Sequence, residues 1–277
     1  MNTTNVFFTR YLIPKFRLKV QNLRRVVNTI MNNRIKNLTE FQKVTEITRK
    51  SAIVVFTGAG MSAESGISTF RDEDGLWENH RVEEVASIDA WYKNPKLVLD
   101  FYNQRRRQLL AVKPNKGHLA LVEIEKSYPN MKVITQNVDD LHERAGQRNI
   151  LHLHGQLRLS RSTGPGKEEF IIKGLDLLLG DRCPQGFQLR PSIVWFGELV
   201  PAFEEALALV SSCDVLVVVG TSLAVYPAAS LLNYVGPEVE ILLIDPKEPS
   251  FRGAKVIYHY PAKAAQGLME FARLLMP

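Results

Sequence analysis

At 277 residues with 45% hydrophobic content, the chain can form one large globular domain with a small insert, and no apolar run approaches the roughly 20 residues that span a bilayer. Of its 35 basic and 29 acidic residues, eleven and two fall within residues 1–50, leaving 24 and 27 beyond, so the net charge of +6 belongs to the beginning of the chain. The body therefore lacks the basic excess that non-specific nucleic-acid binding needs, and two cysteines, Cys183 and Cys213, make neither a disulfide framework nor a cysteine-rich zinc site.

Residues 1–50 form a compositional unit of their own. Arg10, Lys15, Arg17, Lys19, Arg24, Arg25, Arg34 and Lys36 precede any acid and are mixed with Phe, Leu, Val and Ile. Such a leader suits a transit peptide, a surface-binding helix, a disordered arm or upstream sequence, and it is read here as a dispensable extension outside the fold. From Ser51 apolar runs alternate with helical patterns, which predicts an α/β fold: a Rossmann-like parallel sheet with helices on both faces. Strands are predicted at Ile53–Thr57, Lys132–Thr135, Asp214–Val219, Glu240–Ile244 and Lys255–Tyr258, and helices at Pro95–Val112, Gly117–Lys126, Phe203–Ser211 and Ala264–Leu275. Leu157–Arg190, rich in Ser, Gly, Lys and Asp, breaks the alternation and reads as a small inserted module.

The stretch Gly58–Arg71 follows the first strand at once, and Gly58, Gly60 and Ala63 fit a G-x-G-x-x-G/A fingerprint. Glycines there allow a tight turn and close approach of a diphosphate, and a helix starting behind them would aim free N–H groups at the anion. Gly66 ends that helix early, and the polar loop Thr69–Trp77 suits a cover over a cofactor better than a strand. Three further strand ends carry polar or glycine residues: Gln136-Asn137-Val138-Asp139, Gly220-Thr221-Ser222 and Asp245. In an open parallel sheet these ends meet at one crevice, where Asp245 would suit a ribose. His152 and His154 alternate, so an extended backbone puts both on one face, and either a catalytic base or a hydrogen-bonded structural histidine fits. Tyr102 and Arg105 share a helix face and could grip a carboxylate, whereas Arg106 and Arg107 read as a solvated basic face.

In order along the chain, Gly58–Arg71, Gln136–Asp139 with Leu141-His142, His152–Gly155, Ile193–Glu198 and Gly220–Ser222 resemble the signature blocks of the sirtuins, NAD-dependent protein-lysine deacylases. Tyr102 and Arg105 resemble the Tyr-x-x-Arg pair of the class III branch, which removes acidic acyl groups such as succinyl. The resemblance implies that His154 is the general base and that Asn137 acts beside it. It places Gly58, Ala59, Gly60, Ala63, Gly66, Thr69, Phe70, Arg71, Trp77, Gln136, Asn137, Val138, Asp139, Gly220, Thr221, Ser222, Asp245 and Ala264 around NAD. Tyr102 and Arg105 would hold the acyl group, and Val194, Phe196 and Gly197 would pair with an acylated-lysine peptide as an added strand. The implied chemistry displaces nicotinamide with the acyl-lysine amide oxygen, after which His154 removes a proton from a ribose hydroxyl.

Two departures stand out. Between the His-Gly and Phe-Gly-Glu blocks most sirtuins carry two C-x-x-C pairs that hold zinc, whereas only Cys183 stands there, so no metal is expected and the module must be stabilised by packing. Asp245 stands where many relatives have Asn. The competing readings are mono-ADP-ribosyl transfer and a non-catalytic NAD-sensing module, with a hydride-transferring dehydrogenase more distant. A cytoplasmic location is expected, or the mitochondrial matrix if the leader is a transit peptide.

Overall fold

Five-residue runs of Val, Ile and Leu bounded by polar residues are what a strand buried on both faces requires, and they build the sheet at the centre of this protein. The computed structural model describes residues 38–42, 45–68, 76–77 (backbone only), 80–223, 225–248 and 257–276. In chain order the strands are β1 (Ile53–Thr57), β2 (Leu76–Trp77), β3 (His80–Arg81), β4 (Lys132–Thr135), β5 (Ile150–His152), β6 (Gly155–Ser162), β7 (Glu169–Ile171), β8 (Leu189–Ile193), β9 (Val215–Val219), β10 (Glu240–Ile244) and β11 (Ile257–Tyr260). Six of them form one parallel sheet in the order β11-β10-β9-β1-β4-β5.

Side chains alternate across that sheet with a period of two. Ile53, Val55, Val215, Val217, Val219, Leu242 and Ile244 face one core, with helices Lys116–Ser127 and Ala264–Leu275. Val54, Phe56, Leu216, Val218, Ile241 and Leu243 face the other, with helix Phe203–Ser211 and the 3-10 turn Ala228–Tyr234. The first core also takes in Leu38 and Phe41 from a short helix, Leu38–Gln42, with Phe41 edge-on to Tyr258 at 5.5 Å. The expected boundary at residue 50 is therefore too late, since this helix buries its apolar side in the body. The last strand runs to Tyr260, two residues beyond its expected end at Tyr258, and its expected first residues, Lys255 and Val256, lie outside the described residues.

The insert is a three-stranded antiparallel sheet, β7-β6-β8, packed on helix Pro95–Ala111 through Leu157, Ile172, Leu177 and Trp195. Asn94 caps that helix and Pro95 opens it, since a first-turn proline gives up no intrahelical bond. The expectation of a solvated face fails for Arg106, which is fully buried. Its Nε donates to the Leu157 carbonyl at 2.9 Å, and its Nη1 donates to Asn103 Oδ1 at 2.7 Å and the Leu175 carbonyl at 2.9 Å. Asn103 in turn accepts from Leu177 N–H and donates to its carbonyl, so two helix residues satisfy four backbone groups of the module. Burial lowers the Arg106 pKa to about 10, which still leaves it charged at neutral pH. Arg107 stays half-exposed and pairs with Asp176 at 2.6 Å.

The residues present do not fit the zinc that the resemblance raises. Among the described residues no three His, Cys, Asp or Glu side chains converge as ligands, and Cys183 Sγ faces Ser162 Oγ at 3.4 Å. The module is thus held by buried hydrogen bonds from helix Pro95–Ala111 as well as by packing.

Removing the guanidinium in Arg106→Met strands those carbonyls, so unfolding free energy should fall by about 2–5 kcal/mol, measured by urea titration. A second expectation concerns pH. His118 and His142 are fully buried with ring centroids 4.9 Å apart, and desolvation lowers their pKa values from 6.5 to about 3 and about 4. Between those values and 6.5 the unfolded chain binds protons that the folded one refuses. Stability should be complete above the ordinary histidine range and fall on acidification, by about 1.4 kcal/mol per pH unit for each histidine. Thermal melts of His118→Gln that keep the full acid dependence would count against this pair as its source.

Candidate active site

The carboxyl ends of β1, β4, β5, β9 and β10 lie on one edge of the sheet, and the residues singled out in sequence sit there together. After β1, Gly58 donates its N–H to the Val219 carbonyl and Gly60 to the Gly220 carbonyl, at 3.0 and 2.8 Å. A Cβ on Gly60 would lie 2.7 Å from Gly220 Cα, and one on Gly220, which also has φ of +60°, would lie 2.6 Å from Met61 N. The glycines are required here because two backbones touch. The expected set of free N–H groups differs in detail: those of Met61, Ser62 and Ala63 are donated to the carbonyls of Gly58 and Ala59 within the turn. The helix itself is one turn, Gly60–Ala63. Gly66 follows it, while Thr69, Phe70 and Arg71 and the side chain of Trp77 lie outside the described residues.

After β4 the chain supplies a buried polar network. Gln136 donates its N–H to the Thr57 carbonyl and its side-chain amide to Thr221 Oγ1, both at 3.0 Å, bridging the ends of β4 and β9 across β1. Asn137 Nδ2 donates to the Gly58 carbonyl at 3.0 Å and to Ser62 Oγ at 3.1 Å. Ser62 donates onward to Asp139 Oδ2 at 2.7 Å, and Asp139 Oδ1 accepts from Leu141 N–H at 3.1 Å. Burial pushes the Asp139 carboxyl pKa up, and those two hydrogen bonds oppose the shift. Ser62 was legible only as a small residue; its hydroxyl links Asn137 to Asp139, a role that needs the fold to be seen.

The two histidines separate by their partners. His152 Nδ1 lies 3.2 Å from the Asn137 carbonyl and its Nε2 lies 2.7 Å from Glu143 Oε1, so both ring nitrogens are engaged. His154 Nδ1 lies 3.1 Å from the Gln136 carbonyl. A carbonyl only accepts, so Nδ1 carries the hydrogen and the lone pair of the neutral ring is on Nε2. Burial lowers the His154 pKa, against the opposing pull of that carbonyl, which favours the unprotonated, proton-accepting form.

Farther along the edge, Gly220, Thr221 and Ser222 close β9, and buried Asp245 closes β10, with Oδ1 accepting Lys247 N–H at 2.9 Å. Ala264 begins the final helix and is buried, and Glu64 Oε2 accepts the N–H of Ala265 at 2.8 Å. A pyridine dinucleotide fits this donor set. Gln136 and Asn137 bring side-chain amides and Asp139 and Asp245 bring carboxylates, the polar groups that carboxamides and ribose hydroxyls bond to.

A cavity of about 30 Å³ lies beside Asp139, lined also by Ile67, Arg105, Val138 and Leu157. Arg105 is buried there and donates to Gln108 Oε1 at 3.1 Å. Tyr102 is buried one turn earlier, and its hydroxyl accepts from the Trp195 indole N–H at 3.0 Å. The expected strand-pairing segment is partly used within the chain. Val194 N–H is donated to the His154 carbonyl, while Phe196 donates N–H to Ala86 and accepts from Ile88 N–H. The Phe196 side chain is exposed, and Gly197 turns the chain behind it with φ of +90°.

Comparison with known proteins gives one answer. The Sir2 family model matches residues 58–227, which takes in the glycine loop, the Asn137–Asp139 network, both histidines and the end of β9. A Bacteroides thetaiotaomicron protein named NAD-dependent protein deacylase is 50% identical over 230 residues, covering 81% of this chain and 98% of its own. A Helicobacter pylori protein of the same name is 57% identical over 197 residues, covering 70% and 84%. Among solved structures, a Sir2 homologue in complex with NAD matches with a TM-score of 0.77 at 37% identity, over 87% of this chain and 94% of that one. A Sir2 holding deacetylated p53 peptide and 3'-O-acetyl-ADP-ribose matches with a TM-score of 0.71 at 30% identity, over 87% and 97%. The chain belongs to the Sir2 family.

Proposed function

We propose that this protein is an NAD-dependent protein-lysine deacylase that removes acidic acyl groups of the succinyl or malonyl type, and acetyl as a secondary activity, releasing nicotinamide, O-acyl-ADP-ribose and free lysine. The observation that carries the reading is His154, its Nδ1 held by the Gln136 carbonyl at 3.1 Å and its lone pair left on Nε2, at the edge where Asn137 and Asp139 converge. When bound, NAD supplies the ribose carbon and hydroxyls to which the acyl group transfers. Asn137 and Asp139, fixed by Ser62, orient that ribose and its carboxamide; His154 takes a hydroxyl proton on Nε2. Val138 and Leu157 give the neighbouring cavity apolar walls, which keep water from the reacting carbon. Arg105, the cation lining that cavity, offers a charge-assisted bond to an acyl carboxylate, a contact an acetyl group forgoes. An extended peptide laid along Val194–Gly197 would bring its acyl-lysine to the same cavity.

Paired assays with acetyl- and succinyl-lysine peptides, with and without NAD, test the reading. Wild type should need NAD and favour succinyl. His154→Ala should lose at least about 100-fold in kcat on both peptides, with an unchanged circular-dichroism spectrum. Arg105→Met should lose roughly 10- to 100-fold more in kcat/KM for succinyl than for acetyl. Full turnover by His154→Ala would refute the base, and equal losses in Arg105→Met would refute the acidic preference.

A further inference from the structure

A single helical turn, Gly60–Ala63, is too short to hold itself, yet it carries Ser62, whose hydroxyl joins Asn137 to Asp139. What fixes this turn is Asn115, the residue just before helix Lys116–Ser127. Asn115 Nδ2 donates to the Met61 carbonyl at 2.8 Å and to Ser65 Oγ at 3.0 Å, so one amide grips the loop on both sides of Ser62. Its Oδ1 accepts the Gly117 N–H at 2.9 Å and caps the helix. A main-chain N–H only donates and a carbonyl only accepts, so these partners leave the amide one orientation. The backbone of Asn115 is held as well: its N–H is donated to His118 Nδ1 and its carbonyl accepts Leu119 N–H, both at 3.3 Å.

A second tie comes from the loop itself. Glu64 Oε2 accepts the Ala265 N–H at 2.8 Å, at the start of helix Ala264–Leu275. The two helices place Leu121, Ile124, Leu268 and Phe271 in one core, so the loop is moored to a single packed body. Glu64 is exposed, whereas Asn115 is half-buried and meets the loop at two points, which makes the amide the stiffer tie. Ser62 Oγ lies 3.1 Å from Asn137 Nδ2 and 2.7 Å from Asp139 Oδ2, and a shift of the loop by about 1 Å would part both bonds.

We infer that Asn115 is a positioning residue for the cofactor, acting through Ser62: its amide holds the loop where Asn137 and Asp139 are set for the dinucleotide. The role rests on the NAD-dependent reading above. It gives a share of NAD affinity to a helix cap 54 positions from Met61, and it asks for no contact between Asn115 and NAD. Acyl preference is untouched by it, since the cavity beside Asp139 is lined by other residues.

Steady-state kinetics of Asn115→Ser test the role. Serine keeps an oxygen able to cap a helix and loses the amide that reaches the loop. KM for NAD at saturating acyl peptide should rise roughly tenfold, the size expected for losing a pair of neutral hydrogen bonds. KM for the peptide and the succinyl-to-acetyl ratio should stay within about twofold of wild type. Ser62→Ala breaks the joint by itself, so adding Asn115→Ser to it should raise the NAD KM no further. If Asn115→Ser does not fold, Ser65→Ala removes one of the two loop contacts and leaves the cap whole, and a two- to fivefold rise in KM for NAD, roughly, is expected. An unchanged NAD KM, equal rises for NAD and peptide, or a full second loss in the Ser62→Ala background would overturn the positioning role and leave the deacylase reading standing. A wild-type protein that gives no heat on titration with NAD and releases no nicotinamide from it would overturn both.

Discussion

The site depends on a contact between two backbones. The loop after β1 lies directly against the end of β9, with Gly60 N–H bonded to the Gly220 carbonyl at 2.8 Å. A methyl group on either glycine would fall within 2.7 Å of the opposing main chain, closer than non-bonded carbon atoms approach. This closeness lets Gln136 reach Thr221 from β4 with β1 between them, and it carries Ser62 to where it can join Asn137 and Asp139. If the loop moved outward by the width of a side chain, the Asn137–Ser62–Asp139 chain would part. Sequence fingerprints assign glycines of this kind to the ligand, whereas here the first demand on them comes from the neighbouring strand.

Around that contact, a row of buried polar groups is affordable only because nearly every one is answered. Asp139 accepts from a hydroxyl and a main-chain amide, His142 meets Thr57 and Gln147, and His259 donates to the Asp245 carbonyl. Left unanswered, each would cost on the order of 1–3 kcal/mol. The same bonds leave the side chains one permitted orientation, so the preorganisation a transfer reaction needs is supplied by the folded network before any ligand arrives. His154 shows the principle in a single residue: one ring nitrogen is given to the Gln136 carbonyl, which fixes the lone pair on the other.

Much of this was legible from residue order. Four sheet strands are doubly buried apolar runs closed by polar or glycine residues, and their limits agree with the sequence reading to within a residue. Helix Pro95–Ala111 starts at the proline where the sequence reading put it and ends one residue sooner than expected. The misses share a cause: burial of residues whose type predicts exposure. Arg106 reads as one of three adjacent surface arginines, and only carbonyls about 50 and 70 positions away make it a core residue. Strand β11 runs two residues past the end read from sequence because His259 and Tyr260 do not look like strand interior, yet both are buried. Leu38 and Phe41 were hidden inside a basic leader whose composition spoke louder than two apolar side chains three positions apart in the same turn as Glu40.

Helix Pro95–Ala111 ties the remaining pieces together. Asn103 and Arg106 hold the inserted module through its carbonyls, while Arg105, between them in sequence, lines the cavity beside Asp139. The module then returns to the helix through Trp195, whose indole meets Tyr102. A metal could knit the module to itself; a guanidinium reaching out of a helix knits it to that helix instead. Chain segments joined in this way cannot shift independently, because any slide of the module along the helix would break the buried bonds at Leu157 and Leu175 together with the indole bond. The rigidity of the insert and the lining of the cavity beside Asp139 therefore both depend on one helix, and loosening its buried bonds would disturb the two together.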